Sequence, residues 1–134
     1  MTGLNGIALV RAANAMLRSL GGAEVELVLP LVEMPDDASA QLGLVDPGVR
    51  QISISPVVVR NLPTSNNGPR RRLEFLLPAS VVDEQAIEQN AASAQALFDS
   101  ALGIAYDSEV FHIEGFVTEY FGSTAYLYRV VAVA

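Results

Sequence analysis

The sequence predicts an α+β fold: a small antiparallel, barrel-like β-sheet packed by one helix, with an additional N-terminal helix and a long inserted loop. Three observations predict this class. Several short segments alternate between apolar and polar residues, as half-buried strands do. Two longer segments carry apolar residues at helical spacing. Turn signals join neighbouring strands into hairpins, so we expect four or five antiparallel strands and two helices.

The composition indicates one domain over residues 1–134 with a substantial hydrophobic core. The chain is 51% hydrophobic and 17% charged, which is unlike a disordered protein. Its net charge of −7 argues against a chain that condenses as a whole onto DNA or an anionic membrane. The N-terminus lacks the pattern of a signal peptide, and no apolar run is long enough to span a membrane. We therefore expect a soluble protein made in the cytoplasm.

The first predicted element is an amphipathic helix over residues 5–20, which two consecutive glycines end. Its polar residues Arg11, Asn14 and Arg18 should lie opposite an apolar stripe. Such a stripe needs a surface to pack on, either in its own domain or in a neighbour. The stripe consists of Ile7, Val10, Ala13, Leu17 and Leu20.

A strand and a long loop are predicted next. In AEVELVLP, Val25, Leu27 and Leu29 point to one face and the two glutamates to the other, so this strand has one solvated face. Residues 31–50 show no period and contain several proline, aspartate and glycine residues. A loop of about twenty residues is unusual in a compact domain. The segment is therefore an unrecognised element, a functional loop or a segment that orders only against a partner. Its apolar residues favour the last of these over a solvated linker.

Residues 52–77 predict a β-hairpin with a long polar tip. In the first strand isoleucine alternates with serine, and Pro56 marks an edge or a bulge because proline cannot donate to a strand ladder. The segment PTSNNGP is a strong turn signal. In the second strand leucine and phenylalanine alternate with other residues and share one face.

Residues 83–102 predict one continuous helix. Asp83, Glu84 and Glu88 lie in its early turns, where the helix dipole favours acidic side chains, and Gly103 ends it. The small alanines allow this helix to pack closely on the sheet. Its apolar stripe consists of Ile87, Ala91, Ala94, Phe98 and Ala101, widened by Leu97 and Leu102.

The C-terminal segments SEVFHIEGFVTEY and TAYLYRVVAVA predict a second hairpin over residues 109–134, with its turn around FGS. In the last strand Tyr126 and Tyr128 lie on the face opposite Arg129. We expect one face to pack the core and the other to meet a neighbouring subunit. The aromatic residues expected to pack within this hairpin are Tyr120, Phe121, Tyr126 and Tyr128.

Catalytic chemistry has little support in the sequence. There is no nucleotide-binding, zinc-protease or nucleophile-elbow motif. With no cysteine and one histidine, we expect neither a thiolate nor a multi-histidine metal site, and no cofactor. By alternation His112 shares a strand face with Glu114 and Phe116, where it could act as a general base beside Glu114. An ordinary strand histidine is the preferred interpretation because nothing nearby completes a constellation, so we expect no enzyme.

The stretch RRRLEFLLP carries the only basic cluster, Arg70, Arg71 and Arg72. In an extended chain these side chains alternate sides, and no aromatic residue lies between them as in a binder of single-stranded DNA. Arginine is well suited to bidentate contacts with carboxylates, and the chain has fifteen acidic residues. A solvated strand end and a contact in an assembly are the two main interpretations, with DNA contact a distant third.

Three segments of the C-terminal half together carry a family pattern: RRRLEFLLPASVV, an alanine-rich helix ending ALFDSALGI, and VFHIEGFVTEYFGSTAYLYRVVAVA. Over residues 50–134 this pattern resembles the neck proteins of tailed bacteriophages, which are small head-to-tail connector, stopper or completion proteins. The resemblance implies a structural virion protein, assembled in the host cytoplasm, that forms a homo-oligomeric ring between the head or portal and the tail. The implied partners are its own copies and neighbouring portal, adaptor and tail proteins. The resemblance also implies that genome DNA only passes through the lumen of the ring, and it implies no membrane.

Under this resemblance the loop 31–50, the hairpin tip and the N-terminal helix are the docking elements. The alternatives are a tail terminator or another tail or baseplate component and, in a different class, a bacterial small-ligand or peptide-binding module. The candidate interface residues are Met34, Leu42, Leu44, Asn66, Asn67, Arg70, Arg71, Arg72, Tyr126 and Arg129.

Overall fold

The computed structural model describes residues 2–30, 49–63 and 70–134. Most of the predicted loop and the tip of the first hairpin therefore lie outside the described residues. Within these ranges the chain forms three helices and six strands. In chain order they are α1 (Thr2–Ser19), β1 (Ala23–Pro30), β2 (Val49–Leu62), β3 (Arg72–Pro78), α2 (Ala79–Glu88), α3 (Ala94–Ser100), β4 (Gly103–Tyr106), β5 (Glu109–Phe121) and β6 (Thr124–Val133).

The six strands form a closed antiparallel barrel in the order β1-β2-β3-β6-β5-β4, which confirms the predicted fold class. Both predicted hairpins are present, as β2–β3 and β5–β6. Two long strands serve both halves of the barrel. β2 pairs first with β1 and then with β3, while β5 pairs first with β4 and then with β6. The register of β1 against β2 shifts beside Pro56, so of the two predicted alternatives, an edge or a bulge, the structure shows the bulge.

The barrel interior is apolar and close-packed, because inward residues of every strand are aliphatic or aromatic. Val25, Leu27 and Leu29 face inward from β1, as the alternation predicts. At the centre the Phe75 ring meets the Phe111 ring edge-on, with centroids 6.0 Å apart. Edge-to-face contacts of this kind suit the charge distribution of aromatic rings. Residues of α2 and α3 complete the core beside the strands.

The prediction of one helix over residues 83–102 is wrong, because the chain forms two helices with a break between them. Asn90 has a φ of 58° at the break. The amide of Ala91 donates to the carbonyl of Ala86 at 2.8 Å, the bond of a Schellman-type helix end. Ser93 then caps α3 by accepting a bond from the Ala96 amide at 3.1 Å. Asparagine, which tolerates positive φ, and a capping serine three residues later were the available sequence signals.

This break changes which apolar residues are buried. Leu97 and Phe98 lie in the core, as predicted, but Ile87 and Leu102 are exposed. The second half of the predicted helix is α3, and β4 follows it at Gly103–Tyr106, where the sequence pattern predicted no strand. β4 joins β5 through a two-residue turn, Asp107 and Ser108, with positive φ at both positions, as in a type I′ hairpin.

Helix α1 packs on the outside of the barrel. It contacts β2, β3 and β6, and its buried residues Ala13 and Leu17 do not belong to the core cluster. The predicted stripe is wrong at its ends, because Ile7 and Leu20 are exposed. Asn14, predicted on the polar side, donates a hydrogen bond to the Ser80 hydroxyl at 3.2 Å and so faces α2.

Gly103 allows β4 to approach β5 closely. A Cβ atom at this position would lie 2.6 Å from the carbonyl oxygen of Phe111 and 2.8 Å from Cγ1 of Val110. We expect Gly103→Ala to lower the free energy of unfolding by about 1–3 kcal/mol, because backbone must shift to accommodate the methyl group. Urea denaturation followed by circular dichroism measures this change.

The matched control is Gly115→Ala, also on a strand. A Cβ atom at Gly115 meets no heavy atom within 4 Å. We expect this variant to stay within about 0.5 kcal/mol of the parent protein. Equal losses in the two variants would show that the close approach at Gly103 does not limit the packing of β4.

Candidate assembly interface

Among the described residues, the C-terminal part of β5 has a strand partner on one side only. β4 pairs with β5 from Glu109 to Phe111 and then ends. From His112 to Phe121, β5 pairs with β6 alone among the described strands. A strand with one unpaired side presents backbone donors and acceptors that can pair with another chain. This side of β5, from Ile113 to Phe121, is named the β5 edge.

A bulge reverses the faces of β5 at the start of this edge. Ile113 pairs with Ala132 and Gly115 with Val131, so Glu114 is an extra residue on β5. Phe116 therefore turns inward, and Val117 turns outward. The prediction that His112 and Phe116 share a face is wrong for this reason.

An aromatic cluster supports the inner side of the β5 edge. The ring of Phe98 on α3 lies 4.8 Å from the ring of Phe116 and 5.6 Å from that of Tyr128. Tyr128 also donates a hydrogen bond from its hydroxyl to Asp83 Oδ1 on α2 at 2.6 Å. Burial and the adjacent Asp83 carboxylate raise the pKa of Tyr128 above its usual value. Through Tyr128, β6 therefore contacts both α2 and α3 on the inner side of the β5 edge.

The β5 edge exposes apolar side chains on both faces of the strand. Val117 is 57% exposed, Tyr120 61% and Phe121 67%. The prediction that Tyr120 and Phe121 pack within the hairpin is therefore wrong, while Tyr128 does pack as predicted. By strand alternation Val117 and Phe121 share the outer face, whereas Tyr120 lies on the opposite face, near Tyr128. Because this part of β5 has no second strand partner among the described residues, these side chains give its edge an apolar surface of the kind that marks protein contacts.

A shallow groove runs along the outer face of the sheet beside this edge. Its walls include Arg72 from β3, Glu114 and Val117 from β5, and Arg129 from β6. Arg72 binds Glu114 through two parallel contacts of 3.3 Å each, so the groove has a paired cation and anion at one end. Two predicted interface residues, Arg72 and Arg129, therefore lie together next to the exposed apolar surface.

The other charges on this face also pair within the chain. Glu74 is buried, with its carboxylate 3.2 Å from Arg60 and 3.9 Å from Arg129. The contact with Arg60 has the distance of an ion pair but not the geometry of a hydrogen bond. Arg129 also lies 3.5 Å from Glu119 on β5. This network joins four strands across the outer face of the sheet.

Two arginines of the cluster, Arg71 and Arg72, form ion pairs within the chain. Arg71 lies 3.1 Å from Glu109 and 3.6 Å from Asp107, with its guanidinium 5.5 Å from the Phe111 ring centroid. These contacts tie the start of β3 to the β4–β5 turn. Arg70 is exposed and makes no ion pair within the described residues.

The remaining predicted interface residues fall into two groups. Tyr126 is half-buried at a second register shift, where β6 carries the extra residue opposite β5. Its role in a contact stays a prediction. The residues that lie outside the described part of the chain are Met34, Leu42, Leu44, Asn66 and Asn67.

The proposed pair of His112 and Glu114 is not assembled as a catalytic couple. The exposed His112 ring places Nδ1 3.3 Å from the carbonyl oxygen of Leu102, whereas Glu114 binds Arg72. No group of three or more potential metal ligands occurs among the described residues. None of the described helices combines the length and apolar character needed to cross a membrane.

Comparison with family models, with curated proteins and with solved structures gave no significant match.

Removing the Tyr128 hydroxyl tests the hydrogen bond that joins β6 to α2 beside the β5 edge. We expect Tyr128→Phe to lower the free energy of unfolding by about 1.5 kcal/mol near neutral pH, because a bond to a charged acceptor is lost. The raised pKa means that the unfolded chain loses the tyrosine proton first, at about pH 10. The stability from this bond is thus present below about pH 10 and falls as the pH rises further.

Urea denaturation at a series of pH values measures this difference. The difference in free energy of unfolding between the parent protein and Tyr128→Phe should become smaller above about pH 10. Tyr126→Phe is the matched control, because the Tyr126 hydroxyl makes no hydrogen bond within the described residues. A gap that does not change with pH would contradict the role of the Tyr128–Asp83 bond.

Proposed function

We propose that this protein is a structural virion component of a tailed phage, which forms a homo-oligomeric ring in the neck between the head or portal and the tail. The β5 edge carries this proposal. It combines backbone groups that have no strand partner among the described residues with the exposed side chains of Val117, Tyr120 and Phe121. A surface of this kind suits a lasting contact with another protein better than turnover of a small substrate.

The mechanism of such a contact follows from strand geometry. A strand from a neighbouring chain can add to the β5 edge through backbone hydrogen bonds, while alternate side chains fill the groove beside Val117. The Phe98–Phe116–Tyr128 cluster holds the edge in place before contact. A contact surface that is already ordered loses less conformational entropy on binding.

The charges agree with a structural role near DNA rather than a grip on it. The net charge is −7, and Arg71, Arg72 and Arg129 pair with carboxylates of the same chain. An acidic ring would let genome DNA pass without retaining it. The partners in this proposal are copies of the chain and the adjoining portal, adaptor and tail proteins.

Two alternatives use the same edge. A tail terminator or baseplate component would also bind neighbouring copies through it. A peptide-binding module would take an extended peptide on the β5 edge and would remain a monomer without it. The oligomeric state of the purified protein separates these classes.

We expect the purified protein to form rings that negative-stain microscopy and light scattering detect, and Val117→Lys to reduce them to monomers. The reason is that lysine places a strongly hydrated charge in the middle of the apolar edge. The thermal midpoint of the monomer should change little, since Val117 is 57% exposed.

Val110→Lys is the matched control. Val110 is exposed on the same strand, but it lies where β4 pairs with β5. This variant should still form rings. A monomeric parent protein would favour the peptide-binding alternative, and rings that survive Val117→Lys would exclude the β5 edge as the contact.

The virion assignment has a separate test. Quantitative mass spectrometry of purified particles of a phage that encodes this chain should find a few copies per particle, far fewer than the major capsid protein. Hundreds of copies would indicate a tail-tube or capsid-decorating protein instead. Absence from the particles would reject the virion proposal.

A further inference from the structure

Helix α1 carries a basic, partly apolar stripe on its exposed side. Ile7, Arg11 and Arg18 are separated by four and seven residues, so they lie on one face of the helix. All three are exposed, with Ile7 54% exposed. Neither arginine pairs with a carboxylate within the described residues. These three residues are named the basic stripe.

Helix α2 carries a stripe of the opposite charge. Glu84, Ile87 and Glu88 follow one another at spacings of three and one, with the two glutamates one turn apart. All three are exposed, and Ile87, at 76%, is the most exposed of the large apolar side chains described. Neither glutamate has an arginine partner in the described ranges. These residues are named the acidic stripe.

The acidic stripe is unfavourable for the helix that carries it. Glu84 and Glu88 repel each other across one helical turn. Glu88 is the last residue of α2, where the helix dipole favours a cation. Ile87 adds an apolar surface that the chain leaves in water. A cationic surface that also carries an apolar side chain, placed over this stripe, would relieve all three conditions.

We propose that the basic stripe of one copy docks on the acidic stripe of a second copy. The two stripes are complementary. Each contains one isoleucine and two charged residues, and both charges are positive in the basic stripe and negative in the acidic stripe. Arginine is also the side chain best suited to bind a carboxylate through two parallel hydrogen bonds. The two stripes make no ion pair with each other inside the chain, which leaves both available to a second copy.

The contact joins two different surfaces, which suits a ring. Each copy offers its basic stripe to one neighbour and its acidic stripe to the other, so contacts repeat until the ring closes. This inference rests on the self-assembly in the proposed function, and it adds a second contact beside the β5 edge. Opposite charges at the contact also make assembly weaken as salt screens them.

Charge reversal tests the docking directly. The first variant, Arg11→Glu with Arg18→Glu, makes both stripes acidic. The second, Glu84→Arg with Glu88→Arg, makes both stripes basic. Each variant alone should have a self-association constant at least tenfold weaker than the parent protein, measured by analytical ultracentrifugation at low salt, because like charges then face each other.

The decisive measurement is whether self-association returns when the two variants are combined. An equimolar mixture of the two variants should associate again, because each acidic stripe now meets a basic one. The four-residue variant, which exchanges the charges within one chain, should self-associate like the parent protein. Circular dichroism shows whether each variant is folded. A mixture that stays dissociated, with both variants folded, would overturn the proposal.

The matched control is Glu24→Arg with Asp99→Arg, two exposed carboxylates outside the stripes. It changes the net charge as the second variant does and should leave association unchanged. If it weakens association equally, net charge rather than the stripes is responsible, and the docking is rejected. A parent protein that is monomeric at all concentrations rejects the proposed self-assembly itself. Normal association of both reversal variants rejects this contact alone.

Discussion

Closure of the barrel depends on two long strands that each belong to both of its halves. β2 passes from β1 to β3 beside Pro56, and β5 passes from β4 to β6 beside Glu114. A barrel removes strand edges only where each strand has two neighbours. β4 has four residues and ends long before β5 does. Because β4 ends early, the β5 edge has no second strand partner among the described residues, and the bulge at Glu114 turns Val117 outward.

The charged residues have two distinct roles that follow from their partners. On the outer face of the sheet, Arg71, Arg72 and Arg129 pair with carboxylates from other strands. Exposed pairs of this kind contribute little stability one by one, but as a network they order the wall beside the β5 edge. On α1 and α2 the exposed charges have no such partners within the described residues. An apolar edge and a pair of charged stripes thus give one small chain two separate surfaces for assembly.

Local rules account for the sequence predictions that were correct and for those that were not. Alternation identified β1 and both hairpins, because one face of each strand meets the core. The same rule failed at Phe116, since the bulge at Glu114 depends on the register that β6 imposes. Of the residues near the groove, Arg72 and Arg129 were predicted and Val117 was not. The helix break was not predicted because the apolar stripe is continuous across it. The stripe therefore places Asn90 and Ser93 inside a helix, whereas they are a helix end and a cap.

The sequence by itself determined the α+β class, the apolar faces of the strands and the positions of the main turns. Each of these depends on residues that are close along the chain, so a local pattern is enough to specify it. The tertiary structure alone decided that six strands close into a barrel, that Ile87 and Phe121 stay in water, and that Arg71 pairs with Glu109. Exposure and ion pairing depend on which distant segments pack together, and no spacing along the chain contains that information.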